Sequence, residues 1–251
     1  MVRPKKHLGQ HFLHDENIAR KIISFIPDQP INLLEIGPGT GMLSKYLLQN
    51  EKVNSFFLEI DTDSVNLLLK SYPEISGRLI HADILDYDLS DIPSPFTMIG
   101  NFPYNISSQI LFRVIRYRNI IPEVIGMFQK EVAERISSTP GTKKYGIISV
   151  MVQAYYHTEY LFTVSENVFY PQPKVKSAVI RLKRNETEKL DCNEDLFLKV
   201  VKTAFNQRRK TLRNALKSLN VKPTEYTASL MDLRAEQLSV TDFVLLTKAT
   251  E

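Results

Sequence analysis

The sequence predicts an α/β fold: a mostly parallel sheet flanked by helices over residues 1–184, then a small all-helical domain over residues 185–251. Three observations lead there. Strand-like apolar runs and helix-period stripes take turns along the first part of the chain, the order expected of βαβ units rather than of a sandwich or a bundle. A cluster of glycines directly follows the first buried run, where such folds turn from strand into helix. Beyond the polar stretch "RNETEKLDCNED", residues 184–195, the apolar stripes have helical spacing.

The elements follow in order. A helix is expected at about 15–26, then "INLLEIG" as a buried strand, a helix from about 41 and "VNSFFLEI" as a second strand. Next come a helix near 62–71, a short strand "RLIHAD", a strand ending at "FTMIGN", a helix near 107–117, a strand "EVIGMF" and a helix beginning near Lys130. "AYYHTEYLFTV" and "SAVIRLK" read as an antiparallel pair at the sheet edge. In the second domain Leu196, Phe197, Val200, Ala204 and Phe205 make one apolar stripe and Leu212, Leu216 and Leu219 another, with "NQRRK" at the joint. Two more helices follow, one around 224–231 and one after Ser239, whose hydroxyl suits an N-cap.

Composition narrows the classes. With 43% hydrophobic and 24% charged residues, and no apolar run near the ~20 residues that span a bilayer, the chain reads as a soluble globular protein with no membrane partner. Met1 to Lys6 is basic, but "HLGQHFLHDENIARK" follows without the apolar core of a secretory signal, so a cytoplasmic location is expected. The single cysteine, Cys192, excludes a disulfide framework and a thiolate metal cluster. The net charge of +4 is unevenly spread: residues 28–98 hold eleven acids against four Lys/Arg, whereas residues 199–217 hold seven Lys/Arg and no acid. That basic segment points to an anionic partner.

"LLEIGPGTG" places Gly37, Gly39 and Gly41, three of the nine glycines, within five residues at the carboxyl end of a strand, where open α/β sheets bind ligands. A dinucleotide fingerprint would need glycine at residue 42, which is Met42, and there is no phosphate-loop lysine, so nicotinamide, flavin and nucleotide-hydrolysis chemistries are disfavoured. Glu59, ending the second strand, suits the two hydroxyls of a ribose, and Asp83, ending the third, suits an adenine amino group. Together they outline a pocket for an adenosine without phosphates, for which S-adenosylmethionine is the common cofactor; methyl transfer from its sulfonium requires no metal.

"NFPY" ends the fourth strand and faces the same crevice. An exocyclic amine on adenine is a poor nucleophile because its lone pair is delocalised into the ring. The side-chain oxygen of Asn101 and the carbonyl of Pro103 can each accept an N–H, holding the nitrogen pyramidal with its lone pair aimed outward, which is positioning more than proton transfer. Tyr104 offers a flat face to a base taken out of its stack.

The segments "LGQHFLHD", "LEIGPGTG", "LEID", "ADIL", "NFPYNISSQIL", "QKEVAERI", "YGIISV", "FYPQPKVKSAVIRL" and "AFNQRRKTLRNAL" together resemble the KsgA family of ribosomal RNA adenine dimethyltransferases, over nearly the whole chain. The resemblance implies a Rossmann-like class I methyltransferase fold. It also implies N6,N6-dimethylation of two adjacent adenines near the 3′ end of small-subunit ribosomal RNA with S-adenosylmethionine, and a role in small-subunit biogenesis. By position it assigns His11 and Leu13 to the cofactor, alongside Gly37, Glu59, Asp83 and Asn101, with Gly39 in the same turn. Many relatives carry Asn at the position of His11, so a main-chain contact is what transfers there. Phe102 stands where the family has Leu, and Phe169 of "FYPQPKV" is expected to wall the target-base pocket, with core packing as the alternative.

Arg208, Arg209, Lys210, Arg213 and Lys217 suit phosphate contacts on folded RNA, and Arg3, Lys5 and Lys6 could add a second contact. The expected partner is small-subunit ribosomal RNA within a pre-ribosomal particle, and the expected state is a monomer. His7, His11 and His14 lack completing ligands, so no metal is expected. The rival functions are a large-subunit adenine methyltransferase of the antibiotic-resistance kind, which shares the glycine turn and the N-x-P-Y pattern, and a non-catalytic assembly factor keeping only the basic tail.

Overall fold

The computed structural model describes residues 2–251, so Met1 of the basic start lies outside the described residues. The chain forms two compact units. One runs through Ala133 and resumes over Glu159–Arg184; the other joins Glu134–Thr158 to Asn185–Glu251.

In the first unit β1 (Phe12–Leu13) leads into α1 (Glu16–Ile23), whose N-terminus is capped by Asp15 accepting from the Ile18 N–H at 3.0 Å. Then follow β2 (Ile31–Ile36), the short α2 (Ser44–Leu47), β3 (Val53–Glu59), α3 (Thr62–Ser71), β4 (Leu79–His81), β5 (Phe96–Asn101) and α4 (Ser107–Arg116). Next along the chain are β6 (Glu123–Gln129), α5 (Lys130–Ile136), α6 (Ile147–Gln153), β7 (Tyr156–Val164), β8 (Phe169–Tyr170) and β9 (Ser177–Arg184). The main sheet has the order β4-β3-β2-β5-β6-β9-β7. Its first five strands pair in parallel and β9 joins β6 antiparallel, so the last two strands form the edge the sequence predicts. The order reverses at β2, between β3 and β5, so the residues after β2 and β5 face one crevice.

The core lies where Leu33, Phe57, Ile99, Ile125 and Val179 of the sheet meet Ala19, Ile22, Leu47 and Leu68 of the helices. Three elements differ from expectation. The helix after the glycine turn starts only at Ser44, because Gly37, Gly39 and Gly41 all have left-handed φ angles of 64°, 58° and 84° and cannot be part of it. Strands β1 and β8 pair antiparallel as a separate two-stranded ribbon, Phe12 opposite Tyr170 and Leu13 opposite Phe169, too short to carry a periodic signal. The helix α6 is the third, hidden because "IISVMVQ" is a short, mostly apolar run without amphipathic spacing.

The second unit contains α6, α7 (Glu194–Asn206), α8 (Leu212–Ala215), α9 (Glu225–Ala228) and α10 (Val240–Lys248). Ser239 caps α10, accepting from the Asp242 N–H at 3.2 Å. Residues 134–158 group with these helices, although the sequence places them in the first domain. The Tyr145 ring lies 6.2 Å from that of Phe205, and the Arg208 guanidinium donates to the Lys143 carbonyl at 2.7 Å. Among the described residues no helix is long and apolar enough to cross a membrane.

Candidate active site

The site is built from the ends of β2, β3 and β5 and roofed by the segment from His7 to Phe12, which together enclose a cavity of about 250 Å³. His11, Gly37, Gly39, Glu59, Asp83, Asn101, Pro103 and Tyr104 all line it, so eight of the sequence-predicted residues converge. Two do not. Leu13 and Phe169 face each other across the β1–β8 ribbon with exposures of 4% and 3%, inside the hydrophobic core. Strand alternation turns both inward, so both side chains pack in the core, as in the alternative reading of Phe169, and neither lines this cavity.

The glycine turn is shaped by close approach. A Cβ on Gly39 would come within 2.9 Å of the Phe12 ring, whereas one on Gly37 would meet nothing within 4 Å, leaving open space beside the backbone there. Glu59 fixes the turn from across the crevice: one carboxylate oxygen accepts from the Gly39 N–H at 2.9 Å and the other from the Asp61 N–H, also at 2.9 Å. Burial pushes its pKa up against the pull of those two N–H groups. The strand β4 ends at His81, so Asp83 stands two residues beyond the strand rather than at its end. There its carboxylate accepts from the Leu85 N–H at 2.8 Å and turns the chain at the wall of the cavity, which Asp83 lines.

Beneath the turn, Glu35 is almost fully buried and accepts from the Ser44 hydroxyl at 2.7 Å, closing the loop from strand to helix. Burial raises its pKa to about 8. A raised carboxyl contributes stability that is complete below its unfolded value and lost as pH rises through the folded one. Stability is therefore expected to fall between the ordinary value of 4.5 and about 8. Glu35→Gln, which mimics the protonated acid, should match the parent at pH 4.5 and exceed it by ~2–4 kcal/mol above pH 8, as read by denaturant unfolding. Equal stability at the high end would contradict a neutral Glu35.

The "NFPY" segment is anchored by the residue the chemistry does not use. Phe102 is buried in a slot over Gly126, where a Cβ would lie 2.5 Å from its ring, and it packs edge-on against Phe128 at 5.0 Å between centroids. This anchor leaves Asn101 and Pro103 on either side at the crevice. The Asn101 amide donates to the His11 carbonyl at 2.8 Å, while its Oδ1 is buried with no hydrogen-bond partner among the described residues. The Pro103 carbonyl accepts long bonds from the Ile106 N–H, 3.3 Å, and the Ser107 hydroxyl, 3.2 Å. Tyr104 hydrogen-bonds Ser177 through its hydroxyl; burial raises its pKa, outweighing that bond, so the phenol stays neutral and is no base. The His11 ring stacks on Tyr104 at 5.3 Å and bonds the Pro171 carbonyl at 2.6 Å, so its side chain has a role the sequence did not assign.

The roof is fastened at its start as well. Lys5 pairs with Asp61 and, at 2.9 Å, with Asp63, and Gln10 donates to Asp61 at 3.0 Å. The Lys5 charge is thus engaged inside the protein rather than on a phosphate. In the second unit Arg208 is likewise engaged, with Lys143 and Glu236, and Arg213 with Asp232 at 2.9 Å. Arg209 and Lys210 have no such partner among the described residues. Among those residues no cluster of His, Cys, Asp or Glu is arranged to hold a metal.

Comparison with known proteins agrees with this geometry. The family model for ribosomal RNA adenine dimethylase matches residues 1–250. Proteins named ribosomal RNA small subunit methyltransferase A are similar throughout. That of Cytophaga hutchinsonii is 55% identical over 98% of this chain and 96% of its own, and that of Flavobacterium johnsoniae 54% over 100% and 97%. A dimethyladenosine transferase from Plasmodium falciparum superposes with a TM-score of 0.81 at 25% identity, covering 94% of this chain and 96% of that one. The 23S rRNA methyltransferase ErmE shares the fold, with a TM-score of 0.67 at 23% identity over 94% and 99% of the two chains. With the glycine turn, its carboxylate tie and the asparagine at the end of β5 all in one cavity, and with sequence similarity running from end to end, the chain belongs to the ribosomal RNA adenine dimethylase family.

Proposed function

We propose that the protein dimethylates N6 of two adjacent adenines near the 3′ end of small-subunit ribosomal RNA, using S-adenosylmethionine, and acts in the cytoplasm as a monomer on pre-ribosomal small subunits. The observation that carries this reading is the Oδ1 of Asn101: a buried acceptor without a donor among the described residues, on a residue that lines the cavity of about 250 Å³. Such an atom is costly unless a ligand supplies an N–H.

The residues fit the cofactor. The open space beside Gly37 admits a ligand against the backbone, and Glu59 and Asp83 each have lone pairs left for ribose hydroxyls and an adenine amine. When bound, S-adenosylmethionine supplies an electrophilic methyl group. The chain's own task is to present the nucleophile. Asn101 Oδ1 accepts one N–H of the target amine, and the Pro103 carbonyl, whose existing bonds are long, accepts the other. Those two bonds draw the lone pair out of ring conjugation and fix its direction. The Asn101 amide, tied to the His11 carbonyl, holds Oδ1 in place. His11 stacks on one face of Tyr104, and the target adenine is assigned to the other.

Methylated adenines mapped by mass after incubation of protein, labelled cofactor and unmethylated small subunits test the proposal. Dimethylated neighbouring adenines in small-subunit RNA are expected; label confined to large-subunit RNA would favour the antibiotic-resistance type, and no label with intact subunit binding would favour an assembly factor. For RNA holding, Arg209 and Lys210 are the available cations. The double change R209A/K210A should weaken subunit binding and lower the slope of log affinity against log salt by about 0.7–0.9 for each phosphate no longer neutralised. An unchanged slope would remove them from the interface.

A further inference from the structure

Next to the buried Phe169, Tyr170 is 63% exposed. It is among the few large apolar side chains the surface leaves uncovered, and Val175, 46% exposed, is another on the same segment. Between and beside them Lys174 and Lys176 are exposed and have no ion-pair partner among the described residues. An aromatic ring interleaved with cations is what an unstacked nucleotide strand needs: a π-face for a base and charges for its phosphates.

The segment is also held where such a strand must pass. At its start Tyr170 pairs with Phe12, which lines the cavity, and the Pro171 carbonyl takes the bond from His11. At its end Ser177 takes the Tyr104 hydroxyl, and the Lys130 N–H donates to the Lys176 carbonyl at 2.9 Å. Phe12 and Tyr170 are directly opposed in an antiparallel pair, so their side chains share one face of the ribbon, the face turned away from the core that holds Leu13 and Phe169.

Resting on the methyl-transfer reading above, we propose that Tyr170, followed along the same segment by Lys174 and Lys176, is a stacking platform for the RNA nucleotide next to the target adenine. It holds the displaced strand while Asn101 handles the amine. Tyr170 is therefore a positioning residue: it sets how the substrate binds and does not touch the reacting nitrogen.

The chain contains no tryptophan, so Tyr170→Trp introduces a single reporter that retains the stacking face. Its fluorescence is expected to quench on titration with unmethylated small subunits. Tyr170→Ala is expected to raise KM for small subunits about tenfold with kcat and cofactor affinity within about twofold, and Tyr170→Phe and Tyr170→Trp should restore KM. An unquenched tryptophan at saturating subunits, or a KM unmoved in Tyr170→Ala, would overturn the platform. Quenching is read without catalysis, so a quenched tryptophan in a protein that methylates neither subunit would sink the methyl-transfer reading and reduce Tyr170 to an RNA contact with no target adenine beside it, whereas an unquenched tryptophan in an active enzyme would sink the platform alone.

Discussion

Asn101→Ala is expected to lower the methylation rate at saturating cofactor and small subunit by about 10²-fold or more, with subunit affinity nearly intact. The substitution removes the buried Oδ1 acceptor and also the amide bond to the His11 carbonyl, so two consequences need separating. Asn101→Asp separates them. It keeps an oxygen where the amine must be held but sets an acceptor against the His11 carbonyl, where a donor belongs. If Oδ1 acts on the amine, the aspartate variant should recover part of the rate that alanine loses, while the roof over the cavity loosens and cofactor affinity falls. If the residue only fastened the roof, the two variants would fail alike, and cofactor concentration would rescue both. Full activity in Asn101→Ala would remove the residue from the chemistry.

How far the sequence carried depends on the kind of residue. That Gly37, Gly39, Glu59, Asn101 and Tyr104 meet in one cavity was legible because each stands at or just past a strand end, and strand ends can be read from periodicity. The inward direction of the Phe169 and Leu13 side chains was not legible, because it is set by the β1–β8 ribbon, two residues per strand and invisible to periodicity. The same ribbon points Tyr170 outward, so knowing that one aromatic of the pair is buried gives the exposure of the next. The basic segment was legible as a charge excess, but which cations remain available was not. Arg208 and Arg213 find partners that lie far along the chain, at Lys143, Glu236 and Asp232. The grouping of residues 134–158 with the helical unit was hidden for a related reason, since its contacts, such as the Tyr145–Phe205 ring pair and the Arg208–Lys143 guanidinium–carbonyl bond, join distant residues.

Glu59→Gln is expected to raise the Kd for S-adenosylmethionine by roughly 10²-fold, nearly as much as Glu59→Ala, although glutamine is almost the same shape. Both carboxylate oxygens accept backbone N–H groups, from Gly39 and from Asp61, in a site only 3% exposed. An amide has one acceptor oxygen, so whichever way it is turned its NH₂ meets one of those N–H donors. Facing Gly39, it pushes the glycine turn away from the position in which Phe12 leaves no room for a side chain; facing Asp61, it loosens the residue that fastens Lys5 and Gln10. The acceptor meant for the ribose is compromised in either case. Titration calorimetry with the cofactor, alongside thermal unfolding of the unliganded protein, tells binding from folding. A glutamine variant that binds cofactor as the parent does would mean that the two backbone bonds are incidental and that the ribose is held elsewhere. A variant that loses affinity while unfolding within a few degrees of the parent would fix Glu59 as the group that both shapes the turn and takes the sugar.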